Sequence, residues 1–92
     1  MKYRSFGKTD IIVSEVGIGG DSLSGQTTYG YVDEADGEAA IRRAVELGVT
    51  FFDTAETYCD GRSEEVIGRV VGNNPDMVVC TKVGGSAGAI TP

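Results

Sequence analysis

Histidine and tryptophan are absent from this chain, and cysteine and proline occur only twice each. Without histidine, and with Cys59 and Cys80 far from CxxC spacing, no zinc site of ordinary ligand pattern is expected. Long apolar runs are missing too: the longest are a few residues, against the ~20 needed to span a bilayer. The opening stretch, MKYRSFGKTD, is polar and lacks the apolar core of a secretory signal. Basic residues number 8 against 14 acidic ones, a net charge of −6, and no Lys/Arg block interrupts that balance. Neither a nucleic acid nor an anionic membrane is therefore an expected partner. Two thiols without an export signal read as reduced packing cysteines in a cytoplasmic protein.

What is present describes one small folded unit. The chain has 92 residues, 40% of them apolar and 24% charged, enough for a single domain. The ends of KYRSFGKTDIIVSEV are strand-like, and Gly7-Lys8-Thr9-Asp10 between them supplies turn chemistry, which predicts a β-hairpin. EVGIGG reads as a short buried strand running into an aperiodic glycine-rich loop, GGDSLSGQTTYGYVDE. In the next segment Ala40, Ile41, Ala44, Val45 and Gly48 fall on one helical stripe. Asp33 or Asp36 can cap the start of that helix, and Gly48 suits the left-handed position after its end. Arg42, Arg43 and Glu46 lie off the stripe, on a solvated face.

VTFFDTA is a strand. RSEEVIGRVVG is a second helix, with Ser63 as a candidate N-cap, Glu64 and Glu65 at the positive end of its dipole, and Gly72 and Pro75 ending it. MVVCTKV is a further strand, followed by the small-residue tail GGSAGAITP, which lacks the spacing of a dinucleotide fingerprint. Strands alternating with helices imply parallel pairing through right-handed crossovers. The reading is one α/β run, a hairpin followed by three parallel strands and two helices.

In such folds reactive groups gather where strands end, at the carboxyl edge of the sheet. Asp53 ends the second parallel strand, Lys82 ends the third, and Tyr58 follows in the loop after Asp53. A free phenol titrates near ~10, and a neighbouring ammonium favours its ionised form. A carboxylate beside the lysine would keep the ammonium charged and in place. Together the three make a tuned general acid for protonating a carbonyl oxygen. Taken singly each has a plainer role: a turn-capping aspartate, a packing tyrosine, a solvated lysine.

GVTFFDTAETYCDGRSEEVIG, VVCTKVG and YRSFGKTDIIVSEVGIGG, taken in this order and spacing, resemble the aldo-keto reductase family across essentially the whole chain. The strongest elements are FDTA-x-x-Y, G-x-S-E-E and the T-K after the third strand. The likeness is greatest to the branch that holds sugar and small-aldehyde dehydrogenases and potassium-channel β-subunits. The resemblance implies a partial (β/α)8 TIM barrel, with the hairpin plugging its bottom and residues 1–92 forming a single, incomplete, N-terminal third. It implies NADP(H)-dependent hydride transfer between nicotinamide and an aldehyde, ketone or sugar. Tyr58 would then be the general acid, Lys82 would depress its pKa, and Asp53 would pair with Lys82 and help seat the nicotinamide ribose.

The chain departs from that family at several points. It ends before the strand bearing the family's catalytic histidine and before the loops that hold the cofactor's phosphates. After the first parallel strand the family often has Gly-Thr-aromatic, where this chain has Gly19-Gly20-Asp21. Gly20, Asp21 and Gln26, with Asp53, are the cofactor-contact candidates. Cys59 stands where glycine is usual. Losing one oxyanion donor lowers a rate roughly 10²–10³-fold, whereas losing substrate positioning forfeits effective molarities of ~10⁵ M or more. Near-inactivity of the isolated 92 residues is therefore expected. Phe51, Val78 and Cys80 share strand parity with Asp53 and Lys82 and should face the barrel interior. An uncovered face and bare sheet edges predict self-association, and the alternative reading is a non-catalytic binding or assembly module on the same scaffold.

Overall fold

The computed structural model describes residues 1–83; the tail from Gly84 to Pro92, including GGSAG, lies outside the described residues. Strands β1 (Tyr3–Ser5) and β2 (Ile12–Ser14) pair antiparallel, with Arg4 opposite Val13, as the sequence predicts. Their turn is held by side-chain chemistry: Thr9 Oγ1 donates to the Phe6 carbonyl at 2.6 Å and accepts from the Ile11 amide at 3.1 Å. Gly7 takes the left-handed conformation (φ +59°) that the turn needs.

Strand β3 (Gly17–Gly19) follows, but it is not buried: Gly17 and Gly19 are exposed and Ile18 is half-buried. Beside Asp53 and Phe51 these glycines give β3 nothing to pack on the sheet's open side. The next segment corrects the aperiodic-loop reading. It contains a second hairpin, β4 (Gly25–Thr27) and β5 (Gly30–Val32), closed by the Thr28-Tyr29 turn. Three-residue strands leave too little alternation to detect, and the turn residues carry no Asn-Gly signature. Gly25 and Gly30, both at positive φ, and the Thr27 hydroxyl, which donates to the Gly30 carbonyl at 2.7 Å, fix it instead.

Helix α1 (Glu34–Glu46) starts at Asp33, whose carboxylate accepts from the Ala35 amide at 3.0 Å; Asp33, not Asp36, is the cap. Gly48 follows its end at φ +94°, the left-handed position expected of it. The stripe is displaced from its predicted line: Ala40 is exposed, while Gly37, Ile41 and Ala44 are buried. Gly37 is there because a Cβ at that position would sit 1.9 Å from the Leu23 carbonyl oxygen.

Helix α2 (Arg62–Val71) begins from Gly61 at φ +89°, not from a Ser63 cap; Ser63 is the second residue of the helix, fully buried. Strands β6 (Phe51–Ala55) and β7 (Val78–Lys82) complete a parallel sheet of order β3-β6-β7, each strand joined to the next through a helix. The helices cover one side of it. Leu23, Ile41, Ala44, Val49, Phe52, Val66, Ile67 and Val71 form the core between helices and sheet. Phe52 is wholly buried, so truncation to alanine removes transfer energy and leaves a cavity, together about 3–5 kcal/mol. Among the described residues no helix is long and apolar enough to cross a membrane.

The first hairpin is latched to the amino edge of the sheet. Ser14 and Thr50 exchange backbone-to-hydroxyl bonds at 2.9 Å each, and the Tyr3 hydroxyl donates to the Gly48 carbonyl at 2.8 Å. The Phe6 ring meets Phe51 at 5.3 Å between centroids on the open side. The carboxyl ends of the strands are left clear.

Candidate functional site

Parallel register puts Asp53 and Lys82 on one face, and the turn after β6 brings Tyr58 against them. Asp53 pairs with Cys80 and Ala55 with Lys82, and side chains two apart on a strand point the same way. Asp53, Cys80 and Lys82 therefore share the open side, with Phe51 and Val78 below them, while Phe52 and Thr54 turn into the helices. The Lys82 Nζ donates to Asp53 Oδ1 at 2.6 Å, with both side chains 50% exposed. The same ammonium lies 5.2 Å from the centroid of the Tyr58 ring, over its face. Such a cation–π contact at an exposed site contributes about 0.5–1 kcal/mol.

The hydrogen bond that Lys82 donates to Asp53 raises the Lys82 pKa above the ordinary lysine value; desolvation opposes it, and the Asp53 charge and the Tyr58 phenol reinforce it. At neutral pH Lys82 is thus a fixed cation between a carboxylate and a phenol. A group in that setting can donate a proton from Tyr58 while Lys82 stabilises the charge left on the phenolic oxygen.

Tyr58 opens a 3-10 turn, Tyr58–Gly61, between β6 and α2. Cys59 (φ 54°), Asp60 (φ 53°) and Gly61 (φ 89°) are all left-handed in succession. Glycine tolerates that conformation freely and an L side chain does not, which is the physical reason glycine suits position 59. Cys59 is neither exposed nor buried, and its Sγ faces the carbonyls of Asp21 at 3.8 Å and Gly20 at 4.0 Å. Cys80 is exposed on the open face, so neither cysteine is the packing residue expected.

The other candidates fall into different roles. The Gly20 amide donates to the Asp53 carbonyl at 2.8 Å, which ties the loop after β3 to the strand that carries the acid. A Cβ on Gly20 would meet Ser63 Oγ at 2.5 Å and Thr54 Oγ1 at 2.9 Å. Asp21 is exposed beside the Tyr58 turn. Gln26 is exposed on β4, and its amide donates to the Thr27 carbonyl at 3.4 Å.

Two constellations escaped the sequence reading. Thr54 Oγ1 and Ser63 Oγ share a 2.6 Å hydrogen bond with no solvent exposure at either residue. The pattern FDTA hints at it, since Thr54 alternates with Asp53 and so must face the helices. The second is Glu34, which accepts from Arg62 Nη2 at 2.6 Å, Arg62 Nε at 2.8 Å, Arg69 at 3.1 Å and the Ser24 hydroxyl at 2.9 Å. Those donors, Arg62 first, hold its carboxyl down at about 2. Arg62 also pairs with Glu65, and Arg69 with Glu38 at 2.8 Å, so the network joins α1 to α2 behind the site. Residues 28 to 35 apart in sequence leave no local pattern for such pairs.

The fit of a nicotinamide cofactor can be tested on this geometry. The half-exposed Asp53 carboxylate suits a ribose hydroxyl, and Gly19, next to it on β3, would carry a Cβ with only Asp21 Oδ1 nearby, at 3.9 Å. The nicotinamide end therefore fits. Lys82, the cation of the trio, is already paired with Asp53.

The Aldo/keto reductase family profile matches residues 15–91. Aldo-keto reductase YhdN of Bacillus subtilis is 35% identical over 85 residues, covering 89% of this chain and 25% of that protein. L-galactose dehydrogenase of Arabidopsis thaliana is 35% identical over 88 residues, covering 91% and 27%. Among solved structures, the holo form of aldo-keto reductase AKR11C1 from Bacillus halodurans superposes with a TM-score of 0.77 at 34% identity, covering 91% of this chain and 26% of that one. The chain thus spans about a quarter of the length of the relatives it matches.

Proposed function

Since this chain belongs to the aldo/keto reductase family, we propose that its fold, the opening arc of a (β/α)8 barrel, supplies the proton-transfer half of an NADP(H)-dependent carbonyl oxidoreductase. Residues 1–92 form part of one barrel domain, and the substrate is a small aldehyde, ketone or sugar. Tyr58 is the general acid: its hydroxyl protonates the carbonyl oxygen as charge develops there. Lys82 steadies the negative charge left on the phenolic oxygen. Asp53 keeps Lys82 charged and in place and accepts a hydrogen bond from the nicotinamide ribose. The cofactor, when bound, supplies the hydride. In the reverse direction Tyr58 takes the proton from an alcohol.

The observation that carries this reading is the position of the Lys82 ammonium, 2.6 Å from Asp53 and over the Tyr58 ring. Gly20, Asp21 and Gln26 contribute to the cofactor side only through the loop that frames the site. On their own these residues offer no unpaired cation facing the site for the cofactor's phosphates among those described. Residues 1–92 in isolation are accordingly expected to turn over slowly. The two unpaired thiols support a reducing, cytoplasmic setting.

A second reading, a binding or assembly module, draws support from the open sheet face, where Phe51 and Val78 are only half-buried and Cys80 and Lys82 are exposed. Aldehyde-dependent NADPH oxidation separates the two. The protein carrying this chain should consume NADPH only when an aldehyde or ketone is present. Absence of turnover together with retained self-association or partner binding would favour the module.

A further inference from the structure

Tyr58 sits in the middle of a loop whose two ends are joined by a buried hydrogen bond. Thr54 leaves β6 on its helix-facing side, and Ser63 enters α2 facing the sheet. Their hydroxyls meet at 2.6 Å with no solvent exposure at either residue. They are nine positions apart in sequence, and Tyr58 lies near the midpoint. Gly20 packs over the pair so closely that even a methyl group there would stand 2.5 Å from Ser63 Oγ.

The loop needs such a closure. Cys59 and Asp60 hold left-handed backbone that side-chain-bearing residues favour only under constraint. Inside the loop the Glu56 amide donates to the Lys82 carbonyl at 3.0 Å, and the Asp60 amide to the Thr57 carbonyl at 3.3 Å. Those bonds join the loop to β7 and to itself, but neither ties α2 to β6. The apolar contacts of Phe52, Val66 and Ile67 around the pair are non-directional and would tolerate a small slide of helix on strand. A short, dry hydrogen bond does not, because any slide strands two buried hydroxyls.

We propose that the Thr54–Ser63 hydroxyl pair, sealed by Gly20, is a positioning element for Tyr58: by closing the 54–63 loop it fixes where the phenol stands against the Lys82 ammonium. This rests on Tyr58 being the proton donor. Thr54 and Ser63 touch no reacting group themselves. Asp53 immediately precedes Thr54 and points to the opposite side of β6. One residue pair on the dry side of the strand thus sets the geometry of the site on the open side.

The test is an NMR measurement on the intact chain. With the Lys82 ammonium 5.2 Å from the Tyr58 ring centroid, the adjoining ε-methylene protons should carry a ring-current shift in the wild type. Thr54→Val with Ser63→Ala removes both hydroxyls while leaving no buried donor unpaired, so its fold should survive better than either single variant does. In that double variant the Lys82 ring-current shift should disappear while amide dispersion persists; in Thr54→Ser, which keeps the hydroxyl, the shift should remain. If the double variant fails to fold, Ser63→Cys, which weakens the hydrogen bond at similar size, is read the same way. A ring-current shift retained without the hydrogen bond overturns the proposal. So does a shift lost in Thr54→Ser, which would assign the effect to the methyl group. Neither readout uses turnover, so this result stands apart from a Tyr58→Phe assay of the proton donor.

Discussion

Lys82 stands one strand over from Asp53 and two residues beyond its register partner, Cys80, yet its Nζ lies 2.6 Å from Asp53 Oδ1. The lysine reaches back diagonally along the open face instead of extending into solvent. Ala55, its direct neighbour on β6, is small enough to let it pass. The reach lays the ammonium across the Tyr58 ring, so one ion pair couples two strands and the following turn.

That pair has a pH signature. Because Asp53 raises the Lys82 pKa, its contribution to stability is complete below the ordinary lysine value of ~10.4 and is lost as pH climbs through the raised value. Urea midpoints should therefore fall more steeply above pH ~10 in the wild type than in Asp53→Asn. Both groups are half-exposed, so the difference is small and shrinks in salt. Parallel curves would mean that the pair is not formed in solution.

Glu34 gives the opposite sign. Its carboxyl is held at about 2 by Arg62, Ser24 and Arg69, so its contribution is present above the ordinary carboxylate range and is lost as pH falls toward about 2. Stability of the wild type should decline across that acid window, and Glu34→Gln should remove part of the decline. Salt should weaken the effect, since these side chains are partly exposed.

Gly37→Ala tests the packing of α1 on the loop after β3. The new methyl would start 1.9 Å from the Leu23 carbonyl oxygen, which is backbone and cannot rotate away. Overpacking of this kind destabilises by typically 1–3 kcal/mol. Denaturant titration reads it, and a loss well below that range would place Leu23 farther from the helix than described.

Cys59→Gly tests the strained turn. A left-handed L-residue carries roughly 1–2 kcal/mol of strain, against about 0.5–1 kcal/mol of extra chain entropy for glycine. The substitution should be neutral to stabilising by about 1 kcal/mol, whereas Cys59→Val should destabilise. Equal destabilisation by both would show that the Sγ contacts to the Gly20 and Asp21 carbonyls outweigh the backbone term.

The sequence made some of this legible and hid the rest for identifiable reasons. Asp53 and Lys82 are legible as neighbours on one face because strand parity and parallel order are one-dimensional signals, yet Asp53 lies in the middle of β6 and not at its end as the sequence suggests, since the strand runs on to Ala55 before the turn that carries Tyr58. Asp33 and Gly48 were legible because caps are chosen by local backbone chemistry. Ser63 misled for the same reason: it looks like a cap, yet Gly61 at positive φ begins the helix and frees Ser63 to face Thr54. The β4–β5 hairpin was invisible because its strands are too short to alternate. The Glu34 network joins residues brought together only by the packing of two helices.

The central claim is that Tyr58 donates the proton, and the most direct test is the rate of Tyr58→Phe. With an aldehyde and NADPH, the protein carrying this chain should lose roughly 10²–10⁴-fold in kcat when the phenol is removed, while NADPH binding, followed by fluorescence, stays as in the wild type. An unchanged kcat in Tyr58→Phe would contradict the assignment.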